Sequence, residues 1–233
     1  MSQDSLKIAA AAKALEFVRH GMKLGLGTGS TAEAFLDLLA PRVRAGLEVD
    51  CVATSERTAL KARGLGIPLG ELDALTPLDI TIDGADEADR ALNLIKGAGA
   101  ALLREKIVAQ SSRAMIVIAD ETKLVAQLGK FPLPVEVIPF GRGATAARIA
   151  EAAARLGYAD LEVVQRMKDG AAVKTDSGNL VYDCAFGAIK DAAALAAALS
   201  GIAGVVEHGL FIGIATRLVI AHPGEVEVIP ANP

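Results

Sequence analysis

The chain has 233 residues, 52% hydrophobic and 22% charged, enough to bury a full core in one large unit or two smaller ones and too apolar for a disordered chain. Its 24 basic residues against 28 acidic ones leave a net charge of −4, which argues against a nucleic-acid binder but not against a small anion gripped by a few placed lysines and amides. Cys51 and Cys184 are isolated, as are His20, His208 and His222, so neither a disulfide framework nor a metal-binding cluster is expected.

The first residues, MSQDSLKIAAAAKALEFV, hold Asp4, Lys7 and Lys13 and predict an amphipathic helix over 5–19 rather than a secretory signal. KLGLGTGSTAEAFLDLL then reads as a strand at 23–27, a glycine-rich turn and a helix at 31–40. Gly25, Gly27 and Gly29 let the backbone approach a ligand, and Ser30 with Glu33 predicts a capping box at the helix start. Free amides at that start, with the hydroxyls of Thr28, Ser30 and Thr31, make an anion site. Gly27, Gly29 and Ala32 also match the dinucleotide fingerprint G-x-G-x-x-A. The next strand, 49–53, has its acids early, at Glu48 and Asp50, and ends in Thr54 and Ser55, which suit a phosphate or sugar better than a nucleotide ribose. No lysine precedes Ser30, which excludes a Walker loop.

A helix at 56–64 leads to LDITIDGADEADR, a strand at 78–82 ending in carboxylates. Ligands in open α/β sheets bind beyond the carboxyl ends of strands, where Asp83 and Asp86 fall with Gly84 permitting a sharp turn. Carboxylates repel phosphate, so this pair is expected to face hydroxyls; Glu87 and Asp89 read as a solvated turn. A magnesium site for phosphoryl transfer is the rival, without a partner motif to support it.

NLIKGAGAALLREKIVAQSS, 93–112, places Lys96 and a glycine-rich turn before a helix at 100–111. At about 100° per residue, Glu105 falls among Ala101, Leu102, Val108 and Ala109, while Arg104, Lys106 and Gln110 point elsewhere. A carboxylate on an apolar arc loses hydration, which raises its pKa and makes it a better base. Beside a lysine and free amides it has the parts for enolisation: a base takes a proton alpha to a carbonyl, and the cation and amides hold the oxyanion. On this stretch alone, a glutamate at the edge of a surface helix explains the pattern better than a catalytic base does. A strand at 115–119 and a helix at 121–127 follow, with Lys123 at another strand end.

GKFPLPVEVIPFG, 129–141, breaks this rhythm with three prolines and reads as an interdomain crossing and a strand at 135–138. Beyond it come a helix at 142–156, strands at 161–167, 171–175 and 179–185, a helix at 188–199 and a strand at 204–208, the order of a small α+β unit with an antiparallel sheet. Strands at 217–221 and 225–229 are expected to return to the first sheet, making 131–207 an insertion into a domain of 1–130 plus 208–233. The uncharged run 192–206 is too short and too rich in Ala and Gly to span a bilayer, and a cytoplasmic protein is expected.

Together, GTGST, DGADE, KGAGAALLREK, IADETK and GKFPLPVEVIP resemble, in order and spacing, the type A ribose-5-phosphate isomerases, from Lys7 to the last strands. The resemblance implies a cofactor-free aldose–ketose isomerase of the pentose phosphate pathway that interconverts ribose 5-phosphate and ribulose 5-phosphate through an enediolate. It implies a Rossmann-like domain with an inserted ferredoxin-like α+β domain, and a homodimer. It puts Glu105 at the proton-transferring base, and Asp83, Asp86 and Lys96 where the family assists catalysis and binds sugar, with Gly84, Ala85, Gly97, Ala98 and Gly99 in the same two segments. Thr28, Gly29, Ser30 and Thr31 match the phosphate-side loop, and Lys123 and Lys7 match substrate-binding lysines. Ala98 departs from the family, which usually has glycine there; a methyl fits at negative φ and would shift the loop at positive φ. Two other classes rest on less: an NAD-dependent oxidoreductase on the fingerprint, and a non-catalytic sugar-phosphate-binding module on the fold.

Overall fold

The computed structural model describes residues 2–231. Helix α1 (Gln3–Leu15) buries Leu6, Ala10, Ala11 and Ala14. After it come β1 (Met22–Leu26), α2 (Ser30–Arg44), β2 (Val49–Ala53), α3 (Glu56–Gly64), the short α4 (Leu72–Leu75), β3 (Ile80–Asp83), and the two-residue strands β4 (Glu87–Ala88) and β5 (Leu94–Ile95). Helix α5 (Leu102–Gln110) and strand β6 (Met115–Asp120) lead to a single 3-10 turn, Glu121–Lys123. The next elements are β7 (Leu133–Val137), α6 (Arg142–Arg155), β8 (Val163–Gln165), β9 (Met167–Lys168), β10 (Ala171–Ala172), β11 (Leu180–Cys184), α7 (Ala192–Ser200) and β12 (Val205–His208). The chain closes with β13 (Leu210–Phe211), β14 (Arg217–His222) and β15 (Glu225–Pro230).

The first sheet runs β15-β14-β6-β3-β1-β2, and all its pairings are parallel except β14 with β15. This is an α/β fold with a mostly parallel central sheet. Its inner strands are covered on both faces, which is why β6 reads MIVIAD with every residue buried. From β1 the chain steps to β2 on one side and then to β3 on the other, so a crevice opens at the carboxyl ends of β1 and β3. Two glycines allow these strands to close up. A Cβ on Gly25 would stand 2.0 Å from Thr81 Oγ1, and one on Gly27 2.1 Å from Asp83 Oδ1.

A second, antiparallel sheet runs β12-β7-β11-β8, with α6 and α7 in the β-α-β-β-α-β order of a ferredoxin-like unit. Its core of Leu133, Val135, Val137, Ile149, Leu195 and Leu199 extends to Ile95 and Leu210 of a small third sheet, β13-β5-β4. The fold thus has two packed layers bridged by short strands that patterning did not reveal.

Several expectations are corrected. The helix at 121–127 is only the 3-10 turn, because the Val125 N–H pairs with the Ala88 carbonyl at 2.8 Å and draws the chain into extended form. The strand at 161–167 splits into β8 and β9, and 171–175 shortens to β10, which pairs with β9 and meets β11 only at the Lys174–Leu180 bridge. Glu87 is not solvated: it is buried and accepts hydrogen bonds from the Gly129 and Phe131 amides at 2.7 and 2.6 Å, tying down the start of the proline-rich crossing. Lys106, placed off the apolar arc of its helix, is nevertheless buried.

Candidate active site

Past the carboxyl ends of β1, β3 and β6 lies a cavity of about 210 Å³. On one side Gly29, Ser30 and Thr31 open helix α2. Gly29 is the N-cap, at φ 109° and ψ 172°, a conformation that glycine alone adopts easily. The capping box is therefore corrected: Ser30 is the first helical residue, no side chain caps the helix, and Glu33 pairs instead with Arg57 at 2.5 Å. Its N-terminal amides thus keep no side-chain partner among the described residues, the arrangement by which a helix start can hold an anion. Lys7 from α1 and Lys123 from the 3-10 turn line the same cavity. Gln3, one turn before Lys7, joins them and was missed; its amide donates to Asp120 Oδ2 at 3.3 Å.

Thr28 lines the cavity but spends its N–H and hydroxyl inward. Its N–H donates to Asp83 Oδ1 at 3.0 Å, and its hydroxyl lies 2.8 Å from those of both Thr54 and Ser55. Thr54 and Ser55, read as ligand hydroxyls at a strand end, are buried in this network and do not line the cavity.

The opposite side holds the charged centre. Lys96, 2% exposed, donates from Nζ to the Gly84 carbonyl at 2.6 Å and stands 3.0 Å from Asp83 Oδ2 and 3.3 Å from Glu105 Oε1. Burial works against its charge, but Asp83 and Glu105 outweigh it and hold the ammonium above its ordinary pKa. Asp83 is fully buried behind Lys96, outside the cavity lining, so it faces the lysine and two amides rather than a ligand's hydroxyls. Burial raises its pKa despite the lysine. Glu105 lines the cavity; burial is the main cause that pushes its carboxyl up to about 8, with Lys96 opposing and Asp83 and Asp86 assisting. Its Oε2 accepts no hydrogen bond from the described residues.

Between these lie Gly84, Ala85 and Asp86, and the turn Gly97–Gly99. Ala98 has negative φ, so its methyl fits; the left-handed positions are Gly97, at φ 115°, and Ala100, at φ 57°. The Ala98 N–H is already taken by Asp86 Oδ2 at 2.9 Å, while the Gly99 N–H has no acceptor among the described residues.

Behind the site, Lys106 Nζ donates to Glu207 Oε1 at 2.6 Å and to the His208 carbonyl at 2.7 Å, pinning α5 to β12. Burial lowers the Lys106 pKa, and burial with the adjacent lysine lowers that of His208 to about 4, so the imidazole is neutral at pH 7. The Phe211 ring centroid lies 5.6 Å from Lys96 Nζ and 4.9 Å from Lys106 Nζ, within cation–π reach of both. A buried base beside a buried cation, reached from one cavity with an anion grip across it, can move a proton on the carbon skeleton of a small phosphorylated compound.

The sequence matches the family described as Ribose 5-phosphate isomerase A (phosphoriboisomerase A) over residues 50–225. The ribose-5-phosphate isomerase A of Nitrobacter hamburgensis is 57% identical over 229 residues, covering 98% of this chain and 99% of that protein. That of Rhizobium meliloti is 54% identical over 232 residues and covers 100% of both. A solved D-ribose-5-phosphate isomerase in complex with phospho-erythronic acid aligns with a TM-score of 0.92 at 36% identity, covering 99% of this chain and 100% of that one. Ribose 5-phosphate isomerase A from Methanocaldococcus jannaschii aligns with a TM-score of 0.90 at 38% identity, covering 98% and 100%.

Proposed function

The chain belongs to the ribose 5-phosphate isomerase A family, and we infer that Glu105 is the base by which it works. The enzyme interconverts ribose 5-phosphate and ribulose 5-phosphate. The observation that carries the role of Glu105 is its burial on the cavity wall, with one oxygen beside Lys96 and the other without a partner among the described residues.

In this reading the phosphate sits at the α2 N-terminus, held by Gly29, Ser30 and Thr31 and by Lys7 and Lys123. Ionised Glu105 takes the proton from C2 of the open-chain aldose, and the electron pair moves onto O1. Lys96 and the Gly99 N–H stabilise that enediolate oxygen. Glu105 then returns the proton to C1 while the hydroxyl proton passes from O2 to O1, which completes the ketose. Asp86 faces the sugar hydroxyls and fixes the Ala98 peptide; Asp83 acts through Lys96 by holding its ammonium in place. No step requires an electron acceptor or a metal.

Residues 131–207 form, in this reading, an inserted unit between 1–130 and 208–233. We take the functional form as a homodimer in the cytoplasm. Exposed Phe140, Leu60 and Met167 supply apolar surface for pairing, and the two buried free thiols suit a reducing compartment. Light scattering should then give about twice the 23.9 kDa chain mass. The reaction itself is tested with ribose 5-phosphate in deuterated water: solvent deuterium should enter at the transferred carbon position, and a folded enzyme showing no incorporation and no ketose would defeat the assignment.

A further inference from the structure

Arg166 lies between β8 and β9, on the antiparallel sheet, 60 or more residues from any part of the cavity lining except Lys123. Its side chain nevertheless ends on the turn after Lys96. Nη1 donates to the Gly97 carbonyl at 2.8 Å and to the Ala98 carbonyl at 3.0 Å, while Nε donates to Asp183 Oδ2 at 2.8 Å. The side chain is only 15% exposed, and Asp183 on β11 holds the other edge of the guanidinium. A planar fork held on one side by a carboxylate offers its remaining donors in a fixed direction.

That direction matters because the turn is strained. Gly97 has φ 115° and Ala100, which carries a methyl, has φ 57°. Such conformations persist where surrounding contacts over-determine them. In a planar trans peptide the carbonyl and the following N–H point oppositely. Capture of the Gly97 carbonyl by Arg166 therefore turns the Ala98 N–H to the other side, where it meets Asp86. Capture of the Ala98 carbonyl likewise turns the Gly99 N–H away from Arg166, on the residue that lines the cavity and whose amide has no acceptor among the described residues.

We propose that Arg166 is a positioning residue: from the antiparallel sheet it clamps two carbonyls of the 97–99 turn and thereby aims the Gly99 amide at the enediolate oxygen. This rests on the isomerase reading above and extends it to a residue that touches no substrate. The Lys96 ammonium is tied separately, through Asp83 and Gly84, so the clamp governs the amide rather than the cation.

The test uses Arg166→Ala and Arg166→Lys in the full chain. It reads kcat, KM, melting temperature and backbone deuterium uptake of the segment 96–101. Both variants should lose about 10- to 100-fold in kcat, less than the 10²–10³ typical of deleting an oxyanion donor outright. KM should move less than about threefold, because the phosphate grip is untouched. Uptake at 96–101 should rise while that of β1 and β6 stays as in the wild type. Arg166→Lys keeps a cation for Asp183 and should recover melting temperature, but one compact ammonium cannot span two carbonyls and a carboxylate, so kcat should stay low. A purely structural arginine would recover both together. Near-wild-type kcat in a folded variant, a rise in KM in place of the kcat loss, or unchanged uptake at 96–101 would each overturn the clamp. If Arg166→Ala does not fold, Arg166→Lys carries the same readouts. A wild-type enzyme that fails to turn over ribose 5-phosphate defeats the functional reading instead, and the uptake measurement still decides the clamp.

Discussion

The proposed mechanism concentrates the chemistry in one carboxyl, that of Glu105. A base must be ionised to take a proton, and burial pushes this one up to about 8 from 4.5. The acid limb of kcat/KM should therefore lie well above the ordinary carboxylate range, toward pH 8, with a slope of one; a limb near 4.5 would assign the base elsewhere. Glu105→Gln keeps the shape and removes the proton acceptor. Its kcat should fall by about 10²–10⁴ while KM moves a few-fold, and a folded variant retaining more than about a tenth of wild-type kcat would show that Glu105 is not the base. The same shift has a stability consequence. Because the folded pKa lies above the unfolded one, the protonated carboxyl favours the folded state; that contribution is complete below about 4.5 and is lost as pH rises through about 8. Glu105→Gln cannot ionise, so its melting temperature should gain on the wild type as pH is raised from 5 to 8.5, and a gain that shrinks with pH would contradict the burial argument.

At the scale of elements, the site depends on how closely β1 and β3 approach. A methyl at position 27 would stand 2.1 Å from Asp83 Oδ1 and 2.5 Å from its Cα, so backbone as well as side chain must give way. Gly27→Ala should cost about 1–3 kcal/mol of stability, as overpacking does, and lower kcat further by displacing Asp83 from Lys96. Thermal melts and kinetics of the one variant check both. Helix α2 gives the complementary case. Since Gly29 and not Ser30 is its N-cap, Ser30→Ala should leave melting temperature nearly unchanged, without the roughly 1 kcal/mol loss of a removed cap, while KM for the phosphorylated sugar rises. A large drop in melting temperature would restore the capping-box reading. These elements also mark how far the sequence could be read. The 3.6-residue period placed Glu105 on its buried arc, and strand ends rich in glycine and carboxylate located the cavity. The φ of Gly29 leaves no trace in composition, so Ser30 looked like a cap. The burial of Lys106 was not legible, because its acceptors, Glu207 and the His208 carbonyl, lie about a hundred residues away. Arg166 carries no local signal, since what it binds are backbone carbonyls of a distant turn.

At the scale of the molecule, cavity, anion grip and clamp come from segments far apart in the chain: α1, the β1–α2 turn, the β3 and β6 ends, α5 and the antiparallel sheet. In the proposed reading the phosphate is held at one end and the base stands at the other, so unphosphorylated ribose should lose most of its kcat/KM, because the helix terminus and lysines are matched to a dianion. Equal kcat/KM for ribose and its 5-phosphate would contradict the grip. Exhaustive chelation should leave the rate unchanged; a loss reversed by a divalent ion would return Asp83 and Asp86 to the magnesium reading.

The placement of β14 bears on how the protein is made. Strand β6 ends at Asp120, but its parallel neighbour β14 begins only at Arg217, 97 residues later. At the ribosome's pace of roughly 5–20 residues per second, the four finished strands of the sheet wait about 5–20 s with the apolar run MIVIA of the β6 edge uncovered. The antiparallel unit is synthesised during that wait. Nascent chains stalled near residue 210 should therefore engage holding chaperones or aggregate, and release from both should coincide with emergence of β14 and β15. Stalled chains that stay soluble and unbound would mean the waiting edge is shielded by other means.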